Sequence, residues 1–341
     1  MSHFKKIAGF LISFLFLWLA LRKVDWEKIP ALVSQARLGL LYLPLIAVTF
    51  EQIFRAFRWR VLLKDHAVPI FNLYTGIVFC YFFNNILPAR AGEIIRSYYL
   101  GRRGLVSTSE AFGSVFLERF LDGLVIVSVL SYSIYAFPQL ITGVVRKAFF
   151  SAIIFYALIL IFMIVLQTKR SLVDNFLHFF LKYLPEHLRE RIIKMEDSFI
   201  KGFALIRSPE LVFKAIIWSY ISWFASLLTI WLNFKIWSIN LGISELLLFL
   251  GVLSIGAMIP SSPGMIGIYQ YCCVLVFTDM FGIDKERAVT FGLATHIVSY
   301  LYVLLIGSVL LFHENISFKE MSEQAESAEK EKNNKESDVT V

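Results

Sequence analysis

The sequence predicts an all-α fold, a polytopic transmembrane bundle of about eight spans, with two interrupted, re-entrant elements related by an internal repeat. Three observations predict it. Of the 341 residues, 57% are hydrophobic and only 17% charged, whereas soluble domains carry about 25% charged residues. The apolar residues fall in blocks long enough to cross hydrocarbon, which takes about 20 helical residues. Two of these blocks are also cut by proline and glycine in the same order.

Lys5 and Lys6 precede a first apolar segment, Ile7–Leu21. No small-residue cleavage site comes after it, so it reads as an uncleaved span. Between Asp25 and Arg37, Trp26, Ile29, Leu32 and Val33 share one side, which predicts a short interfacial helix. The second segment is Leu38–Phe57, and the third, Ile70–Leu87, is uncharged and stops at Pro88. After the semi-polar Ala89–Gly104 comes the fourth, Ala111–Phe137, and then the fifth, Ala148–Leu166.

Ser171–Arg207 alternates apolar positions with Lys182, Arg189, Arg191, Lys194 and Lys201, the pattern of a surface-lying amphipathic helix broken at Pro185. Val212–Phe234 is the sixth segment. Leu246–Thr278 holds 33 residues without a charge. As one helix it would be about 50 Å long, against a hydrocarbon layer of about 30 Å, so Pro260 and Pro263 must divide it. Ala288–Phe312 closes the series. The expected organisation is a membrane domain over residues 1–312, with half one about 5–137 and half two about 148–312. A polar tail over 313–341 is expected to be disordered.

Several function classes drop out. The net charge of +7 reflects basic residues between apolar blocks, as positive-inside bias and anionic headgroups require. No folded basic domain is left to bind nucleic acid. The three cysteines, Cys80, Cys272 and Cys273, sit in apolar segments without metal or disulfide spacing and read as small buried hydrophobes. The six histidines form no ligand cluster, so no metal and no cofactor are expected.

The two breaks carry the functional expectation. The first runs Asn84-Asn85-Ile86-Leu87-Pro88-Ala89-Arg90-Ala91-Gly92-Glu93, the second Gly256-Ala257-Met258-Ile259-Pro260-Ser261-Ser262-Pro263-Gly264. Each ends an uncharged helix at an aliphatic residue before proline, passes through small or polar residues to glycine, and restarts an apolar helix. Matching interruptions in two halves of a carrier point to its transport site, because backbone freed by a break must face protein or water. A simple proline kink between packed helices gives the same sequence.

Charges inside apolar segments are the second signal. Glu51 and Arg55 share a helix face, as do Arg90, Glu93 and Arg96, and Glu118, Arg119 and Asp122 form a third cluster. A charge at the bilayer centre costs about 2.5–3.5 kcal/mol on insertion scales, so these groups must pair or reach water. The expected pairs are Glu118 with Arg90 or Arg96, and Glu51 with Arg119. Arg58 and Arg60 read as anchors at the membrane edge. Arginine binds phosphate through its planar fork, and helix N-termini restarting after Gly92 and Gly264 would add donors. Structural ion pairs near the interface are the plainer alternative. His296 stands alone on an apolar helix, as a packing residue or as a member of the site.

Leu87-Pro88-Ala89-Arg90-Ala91-Gly92-Glu93 with Arg96, Glu118-Arg119 with Asp122, and Ile259-Pro260-Ser261-Ser262-Pro263-Gly264 with Gly267 resemble the membrane domain of lysylphosphatidylglycerol synthases. That domain also occurs alone in flippase-like proteins, and the resemblance covers about residues 5–312. It implies a lipid-translocating domain with re-entrant elements. Its matched positions are Pro88, Arg90, Gly92, Glu93, Arg96, Glu118, Arg119, Asp122, Pro260, Pro263 and Gly264. Complete synthases append a soluble aminoacyl-transfer domain. Here the last apolar segment gives way to a polar tail from Glu314 to Val341, so enzymatic transfer is not expected.

The expectation is a multi-pass cell-membrane protein that flips a charged-headgroup lipid, an anionic phospholipid or a polyprenyl phosphate, with a lipid-modifying enzyme as candidate partner. The alternatives are a lipid-linked glycosyltransferase, for which the loops lack an acidic metal-binding triplet, and a scaffold docking through Ser171–Arg207. Orientation is in conflict, since Arg55–Lys64 and Ser171–Arg207 both favour the cytoplasm yet single crossings would separate them. A re-entrant element at Ala89–Gly104 would reconcile them.

Overall fold

A computed structural model describes residues 2–63, 66–87, 91–141, 143–168, 208–259 and 263–323. The described residues are helical, with no strand. Ser171–Arg207, Pro88–Arg90 and Pro260–Ser262 lie outside them.

Helix α1 is Ser2–Leu21. Asp25 caps a 3₁₀ turn, Trp26–Lys28, which leads into the short α2, Ile29–Gln35, with proline in its first turn. Its residues are not buried, in line with a helix lying along an interface. Helix α3 is Tyr42–Leu62, α4 is Ile70–Ile86 and α5 is Gly92–Arg102. The Ser107 side chain caps α6, Thr108–Ala136, by accepting from the Glu110 N–H, which closes one of the free amides of a helix start. Then come α7, Gly143–Thr168, α8, Pro209–Ile236, α9, Ile243–Met258, and α10, Ile268–Cys273. A π-helical turn over Val274–Met280 extends α10. The last long helix, α11, is Lys285–His313.

Three helical stretches, Leu38–Leu62, Pro209–Ile236 and Lys285–His313, are long and apolar enough to cross a membrane. Large side chains such as Phe10, Phe14, Trp18, Phe213, Phe224 and Leu305 are exposed on the outside of the bundle. In water that surface would be costly, but against lipid it is the expected dress of a membrane protein. Cys80, Cys272 and Cys273 are free and buried, as small hydrophobes.

The architecture turns on two helical hairpins. Helix α5 runs back along α4, so Gly92 lies against Cys80 and Asn84 and Tyr99 meets Phe79 and Asn72. Only glycine fits at 92, because a Cβ there would run into the Cys80 carbonyl. The second hairpin pairs α9 with α10 and its π turn. Cys272 approaches the Val252 carbonyl, and the Phe249 and Phe277 rings lie 4.7 Å apart. Gly267 at its tip has φ +88°, and a Cβ there would meet the Ser13 carbonyl of α1.

Helix α11 relates the two hairpins. At its C-terminal end His313 meets Phe71, near the start of α4. Near its N-terminal end Phe291 packs on Phe277, far from the tip of the second hairpin. Midway, the Tyr300 hydroxyl donates to the Asn85 carbonyl at 2.6 Å, and His296 bonds the Gly264 carbonyl at 2.8 Å. The hairpins thus enter from opposite ends of α11, and their tips approach near its middle. The third apolar segment therefore turns back after Ile86 rather than running on as a simple span.

The expected disordered tail needs correcting at its start. Glu314 accepts from the Tyr99 hydroxyl and pairs with Arg103, and Arg102 pairs with Glu320. Phe318 stacks on Phe83, while Ile316 and Met321 are buried. Residues 314–323 are packed because three apolar side chains in that polar stretch find the outside of the first hairpin.

A buried ionic cluster as candidate functional site

The first hairpin delivers two charged residues into the bundle. Glu93 sits in the first turn of α5, and Arg96, one turn on, is fully buried. Helix α3 contributes Glu51, Arg55 and Arg58, whose spacings of four and three residues put them along one face. Helix α6 contributes Glu118, Arg119 and Asp122.

Arg58 is at the centre. Its guanidinium lies 3.0 Å from Glu118 Oε1 and 2.6 Å from Asp122 Oδ1, and it donates to the Ser219 hydroxyl of α8 at 3.1 Å. Arg96 reaches Glu118 at 3.2 Å, while its guanidinium lies 4.9 Å from the centroid of the Trp59 ring. Arg55 pairs with Glu51 at 2.9 Å and with Asp122 at 3.6 Å, over the ring of Trp223. Trp223 in turn donates its indole N–H to Asp122 at 2.9 Å. Trp59, wholly buried, donates to Ser114 at 2.8 Å.

Arg119 is different. It stands 3.8 Å from Glu93, 3.4 Å from Glu118 and 3.3 Å from Asp122, and 41% of its side chain is exposed. Four guanidinium groups (Arg55, Arg58, Arg96, Arg119) thus face four carboxylates (Glu51, Glu93, Glu118, Asp122) among the described residues. Pairing of this kind is what makes so many charges tolerable away from water. Satisfaction is still incomplete. The Nε atoms of Arg58, Arg96 and Arg119, and Oδ2 of Asp122, are buried without a hydrogen bond, which leaves bonding capacity for a further polar group.

Of the residues nominated from sequence, Glu51, Arg55, Glu93, Arg96, Glu118, Arg119 and Asp122 come together here. The expected Glu118–Arg96 pair is present. The expected Glu51–Arg119 pair is not, because Arg55, one turn along α3, takes Glu51 at shorter reach. Arg90, Pro88 and Pro260 lie outside the described residues. The expectation that Arg58 anchors the membrane edge is corrected: its side chain is 0% exposed. Its spacing from Arg55 and Glu51 was the available signal.

His296 lies elsewhere, at the second tip. The Gly267 N–H donates to Gln270 Oε1 at 2.8 Å, and Gln270 Nε2 lies 2.9 Å from His296 Nδ1. His296 Nε2 faces the Gly264 carbonyl. A carbonyl can only accept, so Nε2 carries the proton, Nδ1 accepts from Gln270, and a neutral imidazole completes the ring. Tyr269 stacks on it. Pro263 and Gly264 belong to this tip as a 3₁₀ turn, with φ +70° at Gly264.

Residues 6–307 match the family described as lysylphosphatidylglycerol synthase TM region. Among curated proteins, the chain is 25% identical over 236 residues to the UPF0104 membrane protein MJ1078 of Methanocaldococcus jannaschii, covering 68% of this chain and 93% of that one. It is 23% identical over 314 residues to MJ1595 of the same organism, with 88% and 92% covered. A third relative, PH1989 of Pyrococcus horikoshii, is 22% identical over 332 residues, with 89% and 95% covered. No solved structure matches the chain.

Proposed function

The chain belongs to the lysylphosphatidylglycerol synthase transmembrane-region family, and on that premise we propose that it moves a charged-headgroup lipid between the leaflets of the cell membrane. The cargo class is an anionic phospholipid or a polyprenyl phosphate. One observation carries the proposal: an ionic cluster buried among apolar helices, beside a hairpin tip, with one arginine side chain partly exposed. Arginine in a low-dielectric groove is suited to phosphate, and a headgroup lodged there would be shielded while its acyl chains stay in lipid.

The hairpins support the same reading. Two re-entrant elements entering from opposite ends, with tips that approach at mid-length of α11, are what a duplicated carrier with matching interruptions would build. The α4–α5 turn also eases the orientation conflict. With α5 returning to the end where α4 began, the C-terminal ends of α3 and α7 fall on one side, the cytoplasmic one by the basic residues of the sequence that follows each. The proposal assigns the chain no covalent chemistry, and a lipid-modifying enzyme is its natural partner.

The test is reconstitution of the full chain into liposomes carrying fluorescent anionic or polyprenyl-phosphate lipids. Outer-leaflet quenching should become faster and more complete than in protein-free vesicles. No acceleration for any of these lipids, with protein shown to be folded, overturns the proposal.

A further inference from the structure

We propose that Arg119 is the group that meets the headgroup, and that Glu93 selects among headgroups by competing for it. This rests on the lipid-carrier reading and names the selectivity of that site.

The cluster divides into a fixed part and an exchangeable part. The side chains of Arg55, Arg58 and Arg96 are 6%, 0% and 1% exposed. Their carboxylates hold them at 2.6–3.2 Å in the closest pairs. Arg119 is 41% exposed and its ion pairs are all longer, 3.3–3.8 Å. Its Nε has no hydrogen bond. Glu118 and Asp122 do not depend on Arg119, since Arg58 holds both. Glu93 is 18% exposed, and the ion pair it makes among the described residues is with Arg119.

Glu93 therefore occupies the place an anionic ligand would take. It stands in the first turn of α5, where the helix dipole favours a negative group, and it faces an under-used guanidinium. A phosphate can replace that carboxylate on Arg119. Charge then discriminates between headgroups. The described cluster is balanced, so a phosphate arriving alone leaves Glu93 as an unpaired negative group beside it, in a setting where like charges repel strongly. A headgroup that carries its own ammonium offers Glu93 a replacement partner. Glu93 thus lowers the affinity for net-anionic headgroups relative to zwitterionic ones without excluding them as cargo, and removing its charge relieves the penalty.

Native mass spectrometry of the full chain in detergent, titrated with phosphatidylglycerol and phosphatidylethanolamine of the same acyl chains, tests this. Glu93→Gln should raise the bound phosphatidylglycerol-to-phosphatidylethanolamine ratio several-fold, Glu93→Asp should keep the wild-type ratio, and Arg119→Ala should weaken both lipids. Should Glu93→Gln fold poorly, Glu93→Ala must raise the ratio in the same sense. An unchanged or lowered ratio in the uncharged Glu93 variants, or wild-type binding by Arg119→Ala, overturns the inference. Binding and transport fail separately. A shifted ratio without lipid movement in liposomes defeats the carrier reading alone, and lipid movement with an unmoved ratio defeats the exchange alone.

Discussion

The two hairpin tips are built alike and equipped differently. Both bring backbone to the middle of the bundle, and both need glycine where one chain passes close to another, Gly92 against Cys80 and Gly267 against Ser13. The first tip feeds charge inward: Glu93 and Arg96 reach α6, and Asn84 accepts from the Gly92 N–H at 2.9 Å. The second is sealed by neutral groups, with Gln270 and His296 answering the Gly267 amide and the Gly264 carbonyl in a closed ring. An interrupted helix can thus serve as a working edge or as a fixed support, and the side chains that satisfy the freed backbone decide which.

The contrast can be broken at three places, in falling order of effect. Arg58→Ala removes the cation shared by Glu118 and Asp122 and leaves buried carboxylates short of a partner, a loss of about 3–5 kcal/mol. The measurement is the yield of monodisperse protein by fluorescence-detected size exclusion, which should collapse. A variant as stable as wild type would show that the cluster is wet and loosely held. His296→Ala opens the ring at the second tip and strands Gln270 and the Gly264 carbonyl, at about 1–3 kcal/mol. Thermal unfolding in detergent should begin several degrees lower, while lipid binding at Arg119 is retained. Loss of binding at unchanged stability would instead make the second tip part of the working edge. Tyr300→Phe removes the hydroxyl tie from α11 to the first tip, worth about 0.5–1.5 kcal/mol. It should lower the unfolding temperature least, and any gain in lipid movement would identify this tie as a brake.

Charge in an apolar context is legible from sequence, because its cost demands an explanation. Glu118, Arg119 and Asp122 stand out on that ground. Who pairs with whom is not legible, since it depends on helix register and side-chain reach. Glu51 goes to Arg55 on its own helix, not to Arg119. Arg58 is easily misread because neighbouring Arg60 and Lys64 give it the look of an interfacial cluster, although its spacing from Arg55 places it on the inner face. The aromatic supports, Trp59 and Trp223, are invisible for a related reason: among the seven tryptophans and 33 phenylalanines of this chain, nothing in composition separates a lipid-facing ring from one beneath a guanidinium. The interrupted segments are legible from proline and glycine alone. That their tips approach depends on α11, whose Tyr300 and His296 carry no distinctive motif.

The packing of residues 314–323 bears on how the chain comes to be assembled. Tyr99 and Glu314 are joined across 215 positions, and Phe318 stacks on Phe83. A ribosome delivers the first hairpin long before the residues that fasten its outer flank. Until those residues emerge, α4 and α5 must rest in the bilayer with that flank bare, so the final shape of the amino-terminal portion waits on a stretch translated long after it.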